Sequence, residues 1–407
     1  MEGSKLKYKT ESSFLKLKSF CESEKFKGWD PYDGLNSKVF QALPFKYWDL
    51  GRAIWIQIFK HSPINFRRLL LVPKEHNAKG VALFLLGYCK LFKLAQSGCE
   101  NFGTKEQLLI KVKEITTLLL SLKSTGYSGA CWGYNFDWQA RRLFLFKKHT
   151  PTVVATCFCV EALLESYEIT KNEVVLKETL TAANFVVNDL TRTPNGNGFF
   201  FSYSVKDGNN TVINASLLGA KILSYSYKYT RNIDHFKLAK KAIATACELQ
   251  KEDGSWIYGL LPIQYRIDSF HTGFNLDAIK TYQDNTQDNT FQESINKGLY
   301  FYVNNFFEAN GTPKYYHNKT YPIDIHCPAQ IIVTLSKLNV FKRNKPLLDN
   351  VLNWTIDNMQ HKKGYFYYQL KKIISSKIPY MRWSNAFMFN AMSHYFLESS
   401  ITANNEV

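Results

Sequence analysis

DGSWIYGLLPIQYRID, residues 253–268, runs directly into SFHTGFNLDAIKTY, residues 269–282. The first half is a turn followed by an aromatic and polar loop. The second is an apolar stretch opened by Asp268-Ser269, a pair that starts helices. The same pairing recurs along the chain, and a recurring supersecondary unit is the mark of a repeat architecture. GYSGACWGYNFDW leads to TPTVVATCFCVEALLESY (150–167), and NGFFFSYSVKDG to VINASLLGAKILSYSYKY (212–229). GTPKYYHNKTYPID leads to IHCPAQIIVTLSKL (325–338), and GYFYYQLKKIISSKIPYM to RWSNAFMFNAMSHYF (382–396). An earlier helix, HNAKGVALFLLGYCKLFKLA (76–95), follows SPINFRRLLLVPK.

Between these stretches lie segments 105–124, 176–191, 236–252, 292–307 and 345–360, with apolar residues at i, i+3, i+4 and i+7 and polar residues opposite. Those are one-sided helices, whereas the repeat helices are apolar nearly all round. Alternation of the two kinds predicts an all-α fold, an (α/α)6 toroid whose inner helices wall a central cavity. The expected toroid spans 61–400, with residues 1–60 as an N-terminal extension packed on it. Thr150-Pro151, Asp268-Ser269 and His326-Cys327-Pro328 each supply a capping side chain or a first-turn proline. Their helix N-termini gather at one rim and aim positive ends inward, which suits an anionic sugar.

Bulk composition sets the outer bounds. Among 407 residues, 45% are hydrophobic and 15% aromatic, enough for a large core and incompatible with a disordered chain. The net charge of +17 favours a polyanion, whether nucleic acid, anionic lipid or acidic polysaccharide. The basic residues are scattered and no RNP, zinc-finger or helix-turn-helix signature is present, which argues against nucleic acid. MEGSKLKYKTESSF has no apolar h-region, and runs such as VALFLLGYC (81–89) fall short of the roughly 18 residues that span a bilayer. The expectation is a soluble cytoplasmic protein without a membrane span. The eight cysteines include no CxxC pair and lie mostly in apolar helical patterns, so reduced core thiols are expected, with no metal and no cofactor.

LQKEDGSWIYG (249–259) resembles the QxxDGSW repeat of α/α-toroid proteins. GWDPYDGLNS (28–37), CWGYNFDWQ (131–139), DSFHTGFNL (268–276) and DIHCPAQ (324–330) together resemble bacterial capsule and exopolysaccharide biosynthesis proteins. Their toroid is similar to the C-terminal domain of glucuronyl C5-epimerases and to six-hairpin glycosidases. The resemblance implies a carbohydrate-active protein that meets an acidic poly- or oligosaccharide, or its activated precursor, in association with polysaccharide synthesis machinery. Two other toroid classes drop out. Ile323-Asp324-Ile325-His326 is no DxDD cluster of a terpene cyclase, and His326-Cys327 lacks the second cysteine of a lanthionine-cyclase zinc site.

Proton removal at C5 of a uronic acid requires a group that neutralises the adjacent carboxylate, a base and an acid. The rim loops hold His271 and His326 as base or acid, then Tyr258, Tyr265 and Tyr134, with Arg266, Arg141 and Arg382 for a planar two-bond grip on a carboxylate. Each also fits a structural role, a rim-packing histidine or a loop-fixing arginine. The equivalent placement of the two histidines in successive repeats is the case for function. Asn214 opens its helix at the matching position, where it caps or binds a sugar hydroxyl.

Hydrolysis is the alternative chemistry. Asp137, Asp268 and Asp324 are rim carboxylates, and an inverting pair stands ~6.5–9.5 Å apart. Against that, Asp268 and Asp324 read as helix caps and Asp137 as a brace for Arg141 or Arg142. Asp30 and Asp33 read as turn formers in a segment that could cover the mouth. Of Trp132, Tyr134, Trp138, Tyr258, Tyr265 and Trp383, two or three are expected to stack on sugar rings. A noncatalytic glycan-binding or scaffold toroid is the third reading.

Overall fold

The computed structural model describes residues 2–139, 145–206 and 208–404. In chain order the principal helices are α1 (Glu2–Ser23), α2 (Asp49–His61), α3 (Ala78–Gln96), α4 (Lys105–Ser121), α5 (Val153–Thr170), α6 (Glu173–Leu180) and α7 (Ile213–Thr230). They continue as α8 (Ile233–Glu248), α9 (Ser269–Thr286), α10 (Gln292–Phe306), α11 (His326–Lys337), α12 (Lys345–Met359) and α13 (Phe387–Asn404).

Helices α3, α5, α7, α9, α11 and α13 each pack on the next, and α13 packs back on α3, so the inner ring closes. This is the (α/α)6 toroid. Small residues let neighbouring inner helices approach: a Cβ on Gly87 of α3 would lie 2.5 Å from the Phe389 ring of α13. Helices α4, α6, α8, α10 and α12 follow their inner partners on the outside. Helix α8 buries Ala239, Ala242, Ile243 and Ala246, the one-sided spacing expected of it. Helix α1 lies against α12 and α13, in the remaining outer position.

The inner helices start at one end. There, Thr152 caps α5, Asn77 caps α3 and Asp268 caps α9 through side-chain acceptors. A π-helical turn, Met381–Ala386, leads into α13. Short antiparallel pairs edge this mouth: Trp138–Gln139 with Leu145–Phe146, and Ile323–Asp324 with Gln369–Leu370.

The chain between α1 and α3 straps across the mouth. The Trp29 indole donates to the Val72 carbonyl at 2.9 Å, and Arg67 binds Asp33 at 2.7 Å and the Asp30 carbonyl at 2.7 Å. Trp55 and Phe59 of α2 stack in series on Phe40. Asn36 ties the strap to the 131–139 loop, donating to the Asn135 carbonyl at 2.9 Å and accepting from the Asp137 N–H at 3.2 Å.

Below the mouth, Phe158, Phe274 and Phe387 from alternate inner helices form a triangle of rings, with centroids 5.5, 6.0 and 6.4 Å apart. One turn deeper the axis is polar. Glu161 accepts from Lys221 at 2.7 Å and from Lys337, and Gln330 donates to Asp277 at 2.9 Å. Burial opposes the charge on Glu161, but the two ammonium groups outweigh it and hold its carboxyl down at about 2.

Candidate active site

The first turn of α9 builds the most chemically complete part of the mouth. Asp268 accepts the His271 N–H at 3.1 Å as a helix cap, and both its carboxylate oxygens lie 2.8 Å from His271 Nδ1. Arg266 Nε is 3.4 Å from the same carboxylate. Burial opposes ionisation of Asp268, but the charge and hydrogen bonds of His271, with Arg266 behind, keep it below its ordinary value. For His271 burial is the largest influence and pushes it below its ordinary value; Arg266 and Lys79 add to that, and Asp268 opposes it. The imidazole is therefore mainly neutral at pH 7. Because a carboxylate can only accept, Nδ1 carries the proton and Nε2 keeps its lone pair. Nε2 makes no hydrogen bond to any described residue, and the His271 side chain remains 17% exposed.

Aromatic rings fix the imidazole. Tyr258 lies 4.6 Å and Phe270 4.3 Å from it, centroid to centroid, and the Arg266 guanidinium sits 3.9 Å over the Tyr258 ring. Phe270 also reaches His326 at 4.9 Å, linking the two histidines.

His326 is sealed in. Its ring is sandwiched between Trp383, stacked at 4.2 Å, and Phe387 at 3.9 Å, and neither ring nitrogen has a hydrogen-bond partner in good geometry among the described residues. Burial, then the charges of Lys79 and Arg382, push it well below its ordinary value. Asp324 anchors this corner, accepting from the His326 N–H at 3.0 Å, the Trp383 indole at 3.0 Å and Gln369 at 3.1 Å. Burial is the largest influence on its carboxyl, which is pushed up to about 6.

Lys79 is the residue that sequence reasoning missed. It lies in the first turn of α3, is 4% exposed, and extends its ammonium over the phenylalanine triangle, 4.1 Å from Phe158 and 5.1 and 5.2 Å from Phe387 and Phe274. No described carboxylate pairs with it, and burial, followed by the charge of Arg382, drives it well below its ordinary value. The signal was a single lysine in the opening of an otherwise apolar inner helix, HNAKGVALF. Asn214, in the first turn of α7, adds a buried carboxamide oxygen without a partner among the described residues.

Other sequence candidates fall in different places. Tyr134 points its hydroxyl at that of Tyr203, 3.3 Å away, and Tyr203 is a second mouth residue that sequence reasoning passed over. Arg382 makes a two-bond pair with Asp30, at 2.6 and 2.8 Å, both residues buried, so its fork is filled by the strap. Trp383 faces Tyr32 of the strap at 5.6 Å. Trp138 stacks on Phe146 at 5.0 Å. Trp132 is wholly buried and donates to the Leu119 carbonyl at 2.9 Å, a core position. Tyr265 is 59% exposed, in the turn after Pro262–Gln264. Asp137 accepts from the Lys148 N–H at 2.8 Å and pairs with the Lys147 ammonium at 3.5 Å. Arg141 and Arg142 lie outside the described residues. Among the described residues no three His, Cys, Asp or Glu side chains gather as a metal site, the eight cysteines are free thiols, and no helix is long and apolar enough to cross a membrane.

No family model and no curated protein matches the sequence. Solved structures do match. A cellobiose 2-epimerase from Bacillus thermoamylovorans superposes with a TM-score of 0.61 at 12% identity, over 81% of this chain and 90% of that one. A GH76 α-mannanase of Bacteroides thetaiotaomicron gives 0.62 at 12% identity, over 80% and 88%. An unsaturated glucuronyl hydrolase specific for heparin gives 0.60 at 13% identity, over 98% of both chains. At such identities the likeness defines the fold, an (α/α)6 toroid of the kind these enzymes share.

Proposed function

We propose that this toroid is a carbohydrate-active enzyme of capsule or exopolysaccharide biosynthesis. It removes the C5 proton of a uronic acid in an acidic saccharide or its activated precursor, in the cytoplasm. The observation that carries this reading is the His271–Asp268 pair at the mouth, a neutral imidazole with Nδ1 held by a carboxylate and Nε2 unpartnered. Nε2 takes the proton from C5, and Asp268 stabilises the imidazolium that forms. The electron pair left on C5 delocalises into the substrate carboxylate, which therefore needs a cation. With Arg382 paired to Asp30 and Arg266 to Asp268, the cation we assign is Lys79. Tyr258, whose ring lies 4.6 Å from His271, and Tyr134 are the candidate hydroxyls to return a proton, and Asn214 offers a carboxamide oxygen for a sugar hydroxyl, while His326, enclosed by Trp383 and Phe387, serves to shape the wall. Reprotonation of C5 on the opposite face gives the epimer, and loss of the C4 substituent gives an unsaturated uronate.

The sugar substrates in the names of the structural neighbours support this class of ligand. The pathway rests on the resemblance of residues 28–37, 131–139, 268–276 and 324–330. The test is the product formed from uronate-containing glycans: C5 inversion or a new ultraviolet-absorbing double bond, lost in His271→Ala.

A second reading has one observation in its favour. Burial pushes the Asp324 carboxyl up to about 6, so it holds a proton in mildly acidic solution that a glycosidase acid could deliver, and Asp137 would be its partner. In that case Asp324→Asn and Asp137→Asn abolish turnover while His271→Ala retains it.

A further inference from the structure

The outer side of the strap is apolar where a solvated surface should be polar. Helix α2 buries Ile56 and Phe59, yet Leu50, Ile54 and Ile58, spaced i, i+4, i+8, form a second apolar stripe turned outward, with Leu50 71% exposed. Phe45, Tyr47 and Trp48 before the helix and Ile64, Leu69 and Leu71 after it are also exposed. A contiguous apolar surface of this kind marks an interaction site. A rim loop adds to it: KKIISSK (371–377) presents Ile373, 90% exposed, and Ile374 among Lys371, Lys372 and Lys377. Lys60, at the end of α2, sits over the Tyr32 ring at 4.8 Å, and Tyr32 faces Trp383 at 5.6 Å. Trp383 shares Asp324 with Gln369, which pairs with Ser376 of this loop, so helix and loop share one edge of the mouth.

The charge around the patch is one-sided. Segment 38–72 carries Lys38, Lys46, Lys60 and Arg68 beyond its internally paired arginines, with Asp49 its only acid, and the 371–377 loop has three lysines and none. An acidic polysaccharide would engage the lysines but leave the aliphatic side chains in water. Exposed aliphatic side chains accompanied by exposed Tyr47 and Trp48, with lysines in the same segments, match the composition that favours the headgroup boundary of a bilayer.

We propose that this face docks on an anionic lipid bilayer. Ile373, Ile374 and the Leu50-Ile54-Ile58 stripe enter the headgroup boundary, and the surrounding lysines contact anionic headgroups. The mouth is then presented at the membrane surface with no helix crossing it. The inference is independent of the reaction proposed above, because binding is read without turnover.

Cosedimentation of the full chain with phosphatidylcholine vesicles, with and without phosphatidylglycerol, tests it. Binding is expected on the anionic vesicles, about tenfold weaker on the neutral ones, and weakened by about 0.5 M salt. The double variant Ile373→Asp, Ile374→Asp alters two solvent-facing side chains, so its melting temperature should be unchanged while vesicle binding falls about tenfold. Failure to sediment with anionic vesicles, or unchanged binding by the variant, would overturn the proposal. So would a concentration-dependent dimer in light scattering that the variant abolishes, since the face would then be a contact between copies of this chain.

Discussion

His271 Nδ1 stands 2.8 Å from both carboxylate oxygens of Asp268, three residues earlier on the chain. One side chain thus caps α9 and sets the tautomer of the histidine it caps. Asparagine also caps helices but can present an N–H to Nδ1, favouring the wrong tautomer. Asp268→Asn should therefore fold and lose activity about 10²- to 10⁴-fold, the range of a positioned base, as measured by turnover beside a thermal melt.

The pH profile follows from the same pair. A base works when unprotonated, and His271 lies below the ordinary 6.5 of histidine. The acid limb of kcat/KM should fall below pH 6.5 and the rate should be level just above it. A midpoint above 6.5 would contradict the assignment.

Lys79 separates function from stability. Its pKa is depressed in the fold, so the unfolded chain binds a proton that the native state resists. The penalty is full below the folded pKa and vanishes as pH rises through 10.5, where the residue is neutral in both states. Lys79→Met should be more stable than the wild-type chain at pH 7 in urea unfolding, because the substitution removes a buried charge that the fold resists. The gain should shrink toward pH 10.5, and activity should be lost.

Glu161 has the opposite sign. Its carboxyl is held at about 2 in the fold against an ordinary 4.5, so its contribution is present above 4.5 and lost as pH falls toward 2. Glu161→Gln should be less stable at neutral pH, with a shallower loss of stability across that acid window.

The strap is latched by a buried pair. Asp30→Ala leaves the Arg382 guanidinium buried without a counter-charge, at a cost of about 3–5 kcal/mol. Asp30→Ala with Arg382→Met should recover most of that, as read by denaturant midpoints.

The ring was legible because capped starts and apolar periodicity are local. Every inner helix begins within a few residues of its expected position, apart from α13, where the π turn at 381–386 takes up the first residues. The contents of the mouth were less legible. Asp30 and Arg382 are 352 positions apart, and no local pattern pairs them. Lys79 reads as an ordinary first-turn lysine until three phenylalanines from other helices surround it. In CWGYNFDWQ, which rings turn inward is set by non-local packing, and the loop makes a close approach at Gly133, where a Cβ would meet the Thr150 carbonyl at 2.3 Å. On either side of it Trp132 lies in the core and Tyr134 meets Tyr203 at the mouth.

Deuterium exchange tests the chemistry most directly. The protein is incubated in deuterated water with uronate-containing glycans, and C5 is examined by NMR. Deuterium at C5, or an unsaturated uronate, is expected with the wild-type chain and absent with His271→Ala. Turnover with C5 hydrogen fully retained, surviving His271→Ala and abolished by Asp324→Asn, would contradict it.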